Sequence, residues 1–270
     1  MKLDCFKAYD IRGHVPEDID ENLAWCIGLA YAQEVCPGSV VVGHDIRLES
    51  PMISQALIGG LVEGGLNVID IGLCGTEEVY FHTFDRQSQG VGGGIMVTAS
   101  HNPKGFNGMK LVREGARPIS GDSGLFAIRD RVAALRDDYP PRKKPFKSEN
   151  VNLDLDKFAY IEHLLGYINP EKLKPLKIVA NPGNGGAGLV MHLLQQHLPF
   201  EIVFIHDEPD GNFPHGVPNP LLPEMRCFTA NAVIEYHADF GIAWDGDFDR
   251  CFLFDHQGRF IEGYYLVGLL

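Results

Sequence analysis

The sequence predicts two α/β domains in tandem, each built on a mostly parallel sheet with crossover helices. Short β-rich runs alternate with helical stretches along the chain, which is typical of parallel strands joined by helices. The alternation stops at residues 137–145, a polar run rich in proline and charge, and then starts again. We therefore predict a boundary near residue 150, with domains at 1–150 and 151–270.

Local patterns predict the elements of the first domain. Residues 39–43 read SVVVG, an apolar β-branched run that is typical of a buried strand. Pro51 suits the first position of a helix expected over 51–65, and Ser50 suits its N-cap. Further strands are expected at 66–71, 94–98 and 109–113, and a second helix at 123–135.

The second domain repeats the alternation. Helices are expected at 154–165, after the glycine-rich run 181–188 and at 224–236, and strands at 176–180, 201–205, 240–244 and 251–254. Residues 207–223 are rich in Pro, Gly and Asn, which predicts a long loop. Residues 262–270 read EGYYLVGLL, the pattern of an apolar helix. Because domains seldom finish on an unpartnered apolar run, we expect the chain to be a fragment or truncated product.

Composition and charge limit the classes of function. The 270 residues are 45% hydrophobic and 22% charged, which is typical of a soluble globular protein. The chain has no apolar run of the roughly 20 residues that span a bilayer and no apolar signal core at its start, so we predict a cytoplasmic protein without a membrane partner. The six cysteines form no C-x-x-C pair, which predicts free thiols in a reducing compartment.

A formal net charge of −13 disfavours nucleic acid as a partner, since binding to phosphate backbones needs a basic surface. An anionic ligand would need a local basic pocket within this negative field. Ligands bind at strand ends in α/β sheets. The basic residues that lie near glycines or at predicted strand ends are Arg12, Arg47, Lys104, Lys110 and Arg250.

Three aspartates occupy alternate positions in DGDFDR, at the end of a predicted strand: Asp245, Asp247 and Asp249. Carboxylates at this spacing repel one another unless a cation lies between them, and hard oxygen ligands suit Mg²⁺ or Ca²⁺. An EF-hand would need Gly and Glu where this loop has Arg250 and His256, which excludes it. Water or a phosphate oxygen would have to complete the Mg²⁺ shell. The alternative is a solvated acidic turn.

A glycine-rich run supports a rival function. Residues 183–188, GNGGAG, match G-x-G-x-x-G between a predicted strand and helix, and Asp207 follows the next strand. This is most of the context of a dinucleotide-binding turn, but the pattern alone is weak, Pro182 disfavours it and a purely structural turn is the favoured interpretation. A nucleotide-dependent oxidoreductase therefore stays as an alternative. The chain has no G-x-x-x-x-G-K-[ST] motif, which excludes P-loop chemistry.

Ser100 lies in TASHNP, directly after a predicted strand. The small residues around it leave room for another molecule. Ser100 lacks the G-x-S-x-G elbow of α/β-hydrolases, which disfavours a hydrolase nucleophile. By itself the stretch is consistent with a nucleophile, a phosphate carrier or a residue in a tight turn.

Four motifs together resemble the α-D-phosphohexomutase superfamily, and most closely the bacterial phosphomannomutases that supply GDP-mannose synthesis. The motifs are YDIRG at 9–13, TASHNP at 98–103, NGMK at 107–110 and DGDFDR at 245–250. The resemblance implies two three-layer α/β domains with mixed sheets: domain I with the phosphoserine loop and domain II with the metal-binding loop. It matches the first two of the family's four domains, so domains III and IV would be absent.

The resemblance also implies roles for the acidic loop and the serine. Ser100 would be a phosphoserine, and its phosphate would complete the Mg²⁺ shell of Asp245, Asp247 and Asp249. Arg250 would offset the charge of the phosphate, because phosphoryl transfer depends mainly on charge neutralisation and positioning.

The remaining motif residues would serve the substrate, a hexose phosphate. The resemblance implies that Lys110 or His101 handles the proton of the sugar hydroxyl. Arg12 resembles the family's arginine near the transferring phosphate, and Tyr9 and Asn102 would bind phosphate or substrate beside it.

The implied reaction is reversible transfer between mannose 6-phosphate and mannose 1-phosphate. Phospho-Ser100 would donate its phosphate, form a hexose 1,6-bisphosphate and take the other phosphate back. The same bisphosphate would act as the priming activator. Two alternatives stay open, a phosphoglucomutase of the same family and a non-catalytic metal-binding remnant, and the sequence does not indicate an oligomeric state.

Overall fold

The structure is a computed structural model that describes residues 3–138 and 148–269. It divides into two units, Met1–Asp156 and Lys157–Leu270. Most of the polar run predicted as a linker lies outside the described residues. The boundary predicted near residue 150 assigned residues 151–156 to the second domain, but they lie within the first unit, because Val151–Leu153 pairs with a strand of the first sheet.

The first unit alternates strands and helices. In chain order they are β1 (Ile11–His14), α1 (Glu21–Val35), β2 (Ser39–His44), α2 (Ser50–Glu63), β3 (Asn67–Leu73), α3 (Thr76–Asp85), β4 (Val91–Val97), β5 (Phe106–Arg113), β6 (Arg117–Pro118), α4 (Leu125–Asp138) and β7 (Val151–Leu153). The predicted strands correspond to β2, β3, β4 and β5, and the predicted helices to α2 and α4. The patterns do not predict α1, because its residues are buried on most sides and its sequence lacks a continuous polar face.

The first sheet is mixed. Its order is β1-β5-β4-β2-β3-β7, with β6 paired to β5. The pairs β2/β3, β2/β4 and β3/β7 are parallel, whereas β1, β4 and β6 run antiparallel to β5. Val40 and Val42 of β2 belong to one buried cluster and Val41 to another, so the sheet is covered on both faces. This is the three-layer, mixed-sheet arrangement that the resemblance implies, and it explains the continuous apolar run at β2.

Helices α1 and α2 approach each other at reciprocal glycines. A Cβ atom on Gly28 of α1 would lie 2.3 Å from the carbonyl oxygen of Leu57, and one on Gly60 of α2 would lie 2.0 Å from that of Trp25. Contact between the two backbones therefore requires glycine at both positions.

Ser50 is the first residue of α2, but the helix N-cap is Glu49, which makes no side-chain cap hydrogen bond. The Ser50 hydroxyl donates instead to Asp45 Oδ1 at 2.5 Å. The predicted capping role of Ser50 is therefore wrong, because a buried carboxylate in the preceding loop takes its hydroxyl.

The second unit contains a smaller mixed sheet between helices. Its elements are α5 (Phe158–Leu165), β8 (Leu176–Asn181), α6 (Ala187–Leu194), β9 (Phe200–Phe204), α7 (Pro223–Glu235), β10 (Phe240–Trp244), β11 (Cys251–Asp255), β12 (Phe260–Ile261) and α8 (Gly263–Leu269). The strand order is β12-β11-β10-β8-β9. Strands β8, β9 and β10 are parallel to one another, whereas β11 is antiparallel to both β10 and β12. Helix α5 begins later than predicted, because Asp154 pairs with Arg86 of the first unit at 2.8 Å. Among the helices described, none has the length and apolar character to cross a membrane.

Candidate active site

Ser100 lies in the loop that joins β4 to β5, and this loop is a tight turn. Its φ is 51°, in the left-handed region that favours glycine, and the residue is 3% exposed. The Ser100 N–H donates to Thr98 Oγ1 at 2.8 Å, and the Asn102 N–H donates to the Ala99 carbonyl at 2.9 Å. These bonds account for the conformation of the turn. Ser100 Oγ lies 3.1 Å from His101 Nδ1, within hydrogen-bond distance.

Arg12 reaches the same loop from β1. Strand β1 pairs with β5, and Arg12 is opposite Gly108 in that register. Its Nη1 donates to Asn102 Oδ1 at 2.7 Å and its Nε to Asp10 Oδ2 at 2.7 Å. The structure therefore brings Arg12 and Asn102 together at the loop that carries Ser100.

Lys110 lies on the strand that follows this loop, and Tyr9 lies elsewhere in the first unit. Lys110 is on β5, opposite Met96 of β4, and its Nζ donates to Thr76 Oγ1 at the start of α3 at 3.2 Å. Tyr9 lies in the segment before β1 and is 81% exposed. Tyr9 therefore has a ring that is open to solvent and to a ligand.

Two buried residues contact the loop in ways that the sequence does not predict. Arg47 is one of the basic residues predicted from their positions to serve an anionic ligand, but it is 2% exposed and its guanidinium donates to main-chain carbonyls of the Ser100 loop. Asp45, 2% exposed, accepts from Thr98 Oγ1 at 2.7 Å. No local motif identifies Asp45, because the loop it serves lies more than fifty residues further along the chain.

The acidic motif forms the hairpin loop between β10 and β11. Asp245 and Asp247 are fully buried, and one carboxylate oxygen from each of Asp245, Asp247 and Asp249 lies within 4.8 Å of the others. Burial, together with the charges of Asp247 and Asp249, raises the pKa of Asp245 to about 6, and Arg250 opposes this shift. Such burial disfavours the alternative of a solvated acidic turn.

Arg250 provides a positive charge at this loop. Its Nε donates to Asp245 Oδ2 at 2.9 Å and lies 3.5 Å from Asp249 Oδ1. Arg250 thus contributes one positive charge beside the three clustered carboxylates. The donor set is all oxygen and anionic, which fits a hard divalent cation such as Mg²⁺.

The glycine-rich run has a structural explanation in the same unit. A Cβ atom on Gly185 would lie 3.0 Å from the Gly246 carbonyl oxygen, and one on Gly188 would lie 2.4 Å from that of Asp207. Gly183 has a φ of 61°, and its N–H donates to Asn181 Oδ1 at 3.0 Å. Gly185 therefore allows close approach to the main chain of the acidic loop and Gly188 close approach to that of Asp207, which explains the glycines without a nucleotide.

Comparison with protein-family models matches both units. Residues 4–137 match "Phosphoglucomutase/phosphomannomutase, alpha/beta/alpha domain I", and residues 158–258 match domain II of the same family. The chain belongs to the phosphoglucomutase/phosphomannomutase family. The Ser100 loop lies in domain I, and the acidic loop and the glycine-rich run lie in domain II, so the oxidoreductase alternative has no support.

Named relatives agree with this family. The chain is 63% identical over 270 residues to "Phosphohexose mutases" of Xanthomonas campestris pv. campestris, covering 100% of this chain and 58% of the relative. It is 54% identical over 276 residues to "Phosphomannomutase" of Escherichia coli strain K12, covering 100% of this chain and 59% of the relative. A crystal structure of a phosphoglucomutase/phosphomannomutase family protein from Burkholderia thailandensis matches with a TM-score of 0.85 at 33% identity, covering 97% of this chain and 57% of that one. The chain thus spans a little more than half the length of these relatives.

Proposed function

We propose that this chain supplies the phosphoserine and metal-binding domains of a phosphomannomutase, which interconverts mannose 6-phosphate and mannose 1-phosphate. Transfer would run through phospho-Ser100 and a hexose 1,6-bisphosphate, and the product would feed GDP-mannose synthesis. The observation that carries the proposal is the buried turn at Ser100, whose Oγ lies 3.1 Å from a histidine ring within the family's domain I. The relatives named phosphomannomutase support mannose as the sugar.

The acidic loop would hold the metal of this reaction. Asp245, Asp247 and Asp249 fit Mg²⁺ as an all-oxygen set, and the phosphate on Ser100 is the proposed fourth ligand. Mg²⁺ bound there would offset the negative charge of the transferring phosphoryl group. Arg250 would add to this neutralisation from the same loop.

Phosphoryl transfer also moves protons, and we assign these proton transfers to His101 and Lys110. The Oγ–P bond of phospho-Ser100 breaks and a bond forms between phosphorus and the sugar oxygen, so the sugar hydroxyl loses a proton and Ser100 Oγ gains one. His101 Nδ1 is within hydrogen-bond distance of Oγ and is suited to deliver the proton to the serine. Lys110 is then the group that we assign to the sugar hydroxyl.

Substrate binding would use the residues around the loop. Arg12 and Asn102 are already hydrogen-bonded to each other and would contact the transferring phosphate. Tyr9 is exposed and would contact the sugar or its phosphate. A hexose 1,6-bisphosphate would prime the protein by phosphorylating Ser100.

Peptide mass spectrometry tests the proposal directly. We expect incubation of the chain with a hexose 1,6-bisphosphate and Mg²⁺ to place one phosphate on the peptide that contains Ser100, and S100A to remain unmodified there. Phosphate found only on other peptides, or on none, would contradict the proposed function.

A coupled assay separates the remaining alternatives. A phosphomannomutase gives a higher kcat/KM with mannose phosphates than with glucose phosphates, whereas a phosphoglucomutase gives the reverse. Phosphorylation of Ser100 without turnover of either sugar identifies a chain that needs further parts to complete the reaction.

A further inference from the structure

The guanidinium of Arg47 donates hydrogen bonds to several main-chain carbonyls of the Ser100 loop. Its Nη1 donates to the carbonyls of Pro103 and Phe106 at 2.9 and 3.0 Å, and its Nη2 donates to those of Ser100 and Asn102 at 2.9 and 2.6 Å. Three of the acceptors lie in the loop between β4 and β5, and the fourth, Phe106, is the first residue of β5. A single buried side chain therefore fixes four points of the main chain around the serine.

These four bonds need the shape of an arginine. Guanidinium holds its N–H groups in a rigid planar fork that points at several acceptors at once. The ammonium of lysine is a single point with three donors, so it does not reach two pairs of carbonyls from one position. Because Arg47 is 2% exposed, water does not readily replace a missing donor.

Asp45 links the same arginine to the other side of Ser100. Its Oδ2 lies 3.3 Å from Arg47 Nε and accepts from Thr98 Oγ1 at 2.7 Å. Thr98 Oγ1 in turn accepts the Ser100 N–H at 2.8 Å. Ser50 Oγ and the Arg47 N–H donate to the other oxygen of Asp45, at 2.5 and 3.0 Å.

Ser100 is thus held at both of its peptide groups: at its N–H through Thr98 and Asp45, and at its carbonyl by Arg47. Its φ of 51° is costly for a residue with a side chain, and such a conformation persists when surrounding contacts determine it. The carbonyl contacts use Nη1 and Nη2, and Nε faces Asp45, so the guanidinium is directed at protein groups.

We propose that Arg47, held by Asp45, is a positioning residue for phosphoryl transfer, which sets the direction of Ser100 Oγ without touching the substrate. The inference rests on the proposed phosphoserine function. It predicts a specific kinetic change. Replacement of the Arg47 guanidinium slows the transfer step itself, because a misplacement of Ser100 Oγ by about 1 Å costs roughly 10²-fold in rate. Binding of the sugar bisphosphate stays nearly unchanged.

The experiment measures the rate of Ser100 phosphorylation by a hexose 1,6-bisphosphate, over a range of bisphosphate concentrations, in wild type, R47K, D45N and T98V. We expect R47K to lower the saturating rate by roughly 10²-fold, with the half-saturating concentration within about twofold of wild type. D45N and T98V should slow the same step by about tenfold or more, because each removes a contact that positions Ser100.

The control is R86K, which makes the same exchange of arginine for lysine at an ion pair with Asp154 in the first unit, away from the Ser100 loop. Urea unfolding of each variant gives its folded fraction, and rates are expressed per folded molecule. T98V replaces the hydroxyl by a methyl group of similar size, so it keeps the inference testable if R47K folds poorly.

The outcomes are separable. A wild-type chain that takes no phosphate on Ser100 contradicts the proposed function. If wild type is phosphorylated and R47K and T98V react at the wild-type saturating rate, the positioning role is wrong. A higher half-saturating concentration at an unchanged saturating rate also overturns it, because that result assigns Arg47 to ligand binding.

Discussion

At the scale of single residues, Ser100 has a backbone conformation that suits glycine, yet it carries the side chain on which the proposed chemistry depends. The sequence identifies Ser100 and the three aspartates, because short motifs contain them. Arg47 and Asp45 are harder to predict. Their contacts with the loop span 53 residues of chain and exist only because β2 lies beside β4 in the sheet.

Asp247 provides a test of the metal site at the residue scale. Its carboxylate is buried among the other two, and D247N would replace one anionic ligand by a neutral amide. We expect Mg²⁺ affinity, measured by isothermal titration calorimetry, to fall by at least the roughly 10- to 100-fold that loss of an outer-shell partner costs at metal sites.

The matched control for this change is D255N at the other end of β11. Asp255 pairs with Arg259 and lies outside the acidic loop, so its replacement should leave Mg²⁺ affinity unchanged. Equal affinities for D247N and wild type would show that the aspartates do not hold the metal.

At the scale of elements, two stacked histidine rings connect the start of the long loop between β9 and α7 to its middle. The rings of His206 and His215 stack with their centroids 3.6 Å apart and an interplanar angle of 11°, and Phe228 of α7 packs edge-on against His206 at 5.0 Å. His215 Nδ1 also lies 2.9 Å from Asn184 Oδ1. The sequence predicts this loop from its composition, but it does not predict the stack that holds it.

The stack makes the stability of the second unit depend on pH. Partial burial and the nearby His215 lower the pKa of His206, and Asp207, which pairs with His192, opposes this shift. The unfolded chain then binds more protons below the ordinary histidine pKa of about 6.5, so stability is complete above that pH and declines as pH falls through it. We expect His206 to lower the free energy of unfolding of the second unit at about pH 5.5 relative to about pH 7.5, whereas Asp245, whose pKa is raised to about 6, acts in the opposite direction.

Urea unfolding followed by the fluorescence of Trp244, in a W25F background, measures this dependence in the second unit. H215F keeps an aromatic ring for stacking but removes the second titratable group, so its stability should change less with pH. An equally steep decline in H215F would assign the effect to other groups.

At the scale of the whole molecule, the two proposed sites belong to different units. The contacts that set the Ser100 turn come from Arg12, Asp45, Arg47 and Thr98, all within the first unit, whereas the acidic loop is in the second. The division into two α/β units could be predicted from the restart of the alternating pattern. The position of the division could not be predicted as well, because β7 joins the first sheet after the polar run.

Removal of the metal should therefore affect chemistry and the stability of the first unit differently. We expect EDTA to slow phosphorylation of Ser100 strongly, because the proposed neutralising charge is lost. The midpoint of urea unfolding of the first unit, followed by the fluorescence of Trp25 in a W244F background, should be unchanged by EDTA. A clear shift of that transition on chelation would show that the metal supports the first unit as well.

The reciprocal glycines of α1 and α2 also bear on how this family can diverge. A side chain at Gly28 or Gly60 meets main-chain oxygen of the opposite helix, and every amino acid has that oxygen. No replacement on one helix can make room for a replacement on the other. The two positions are therefore in close contact yet are expected not to covary, so a search for contacts through correlated substitutions would miss the tightest approach between these helices.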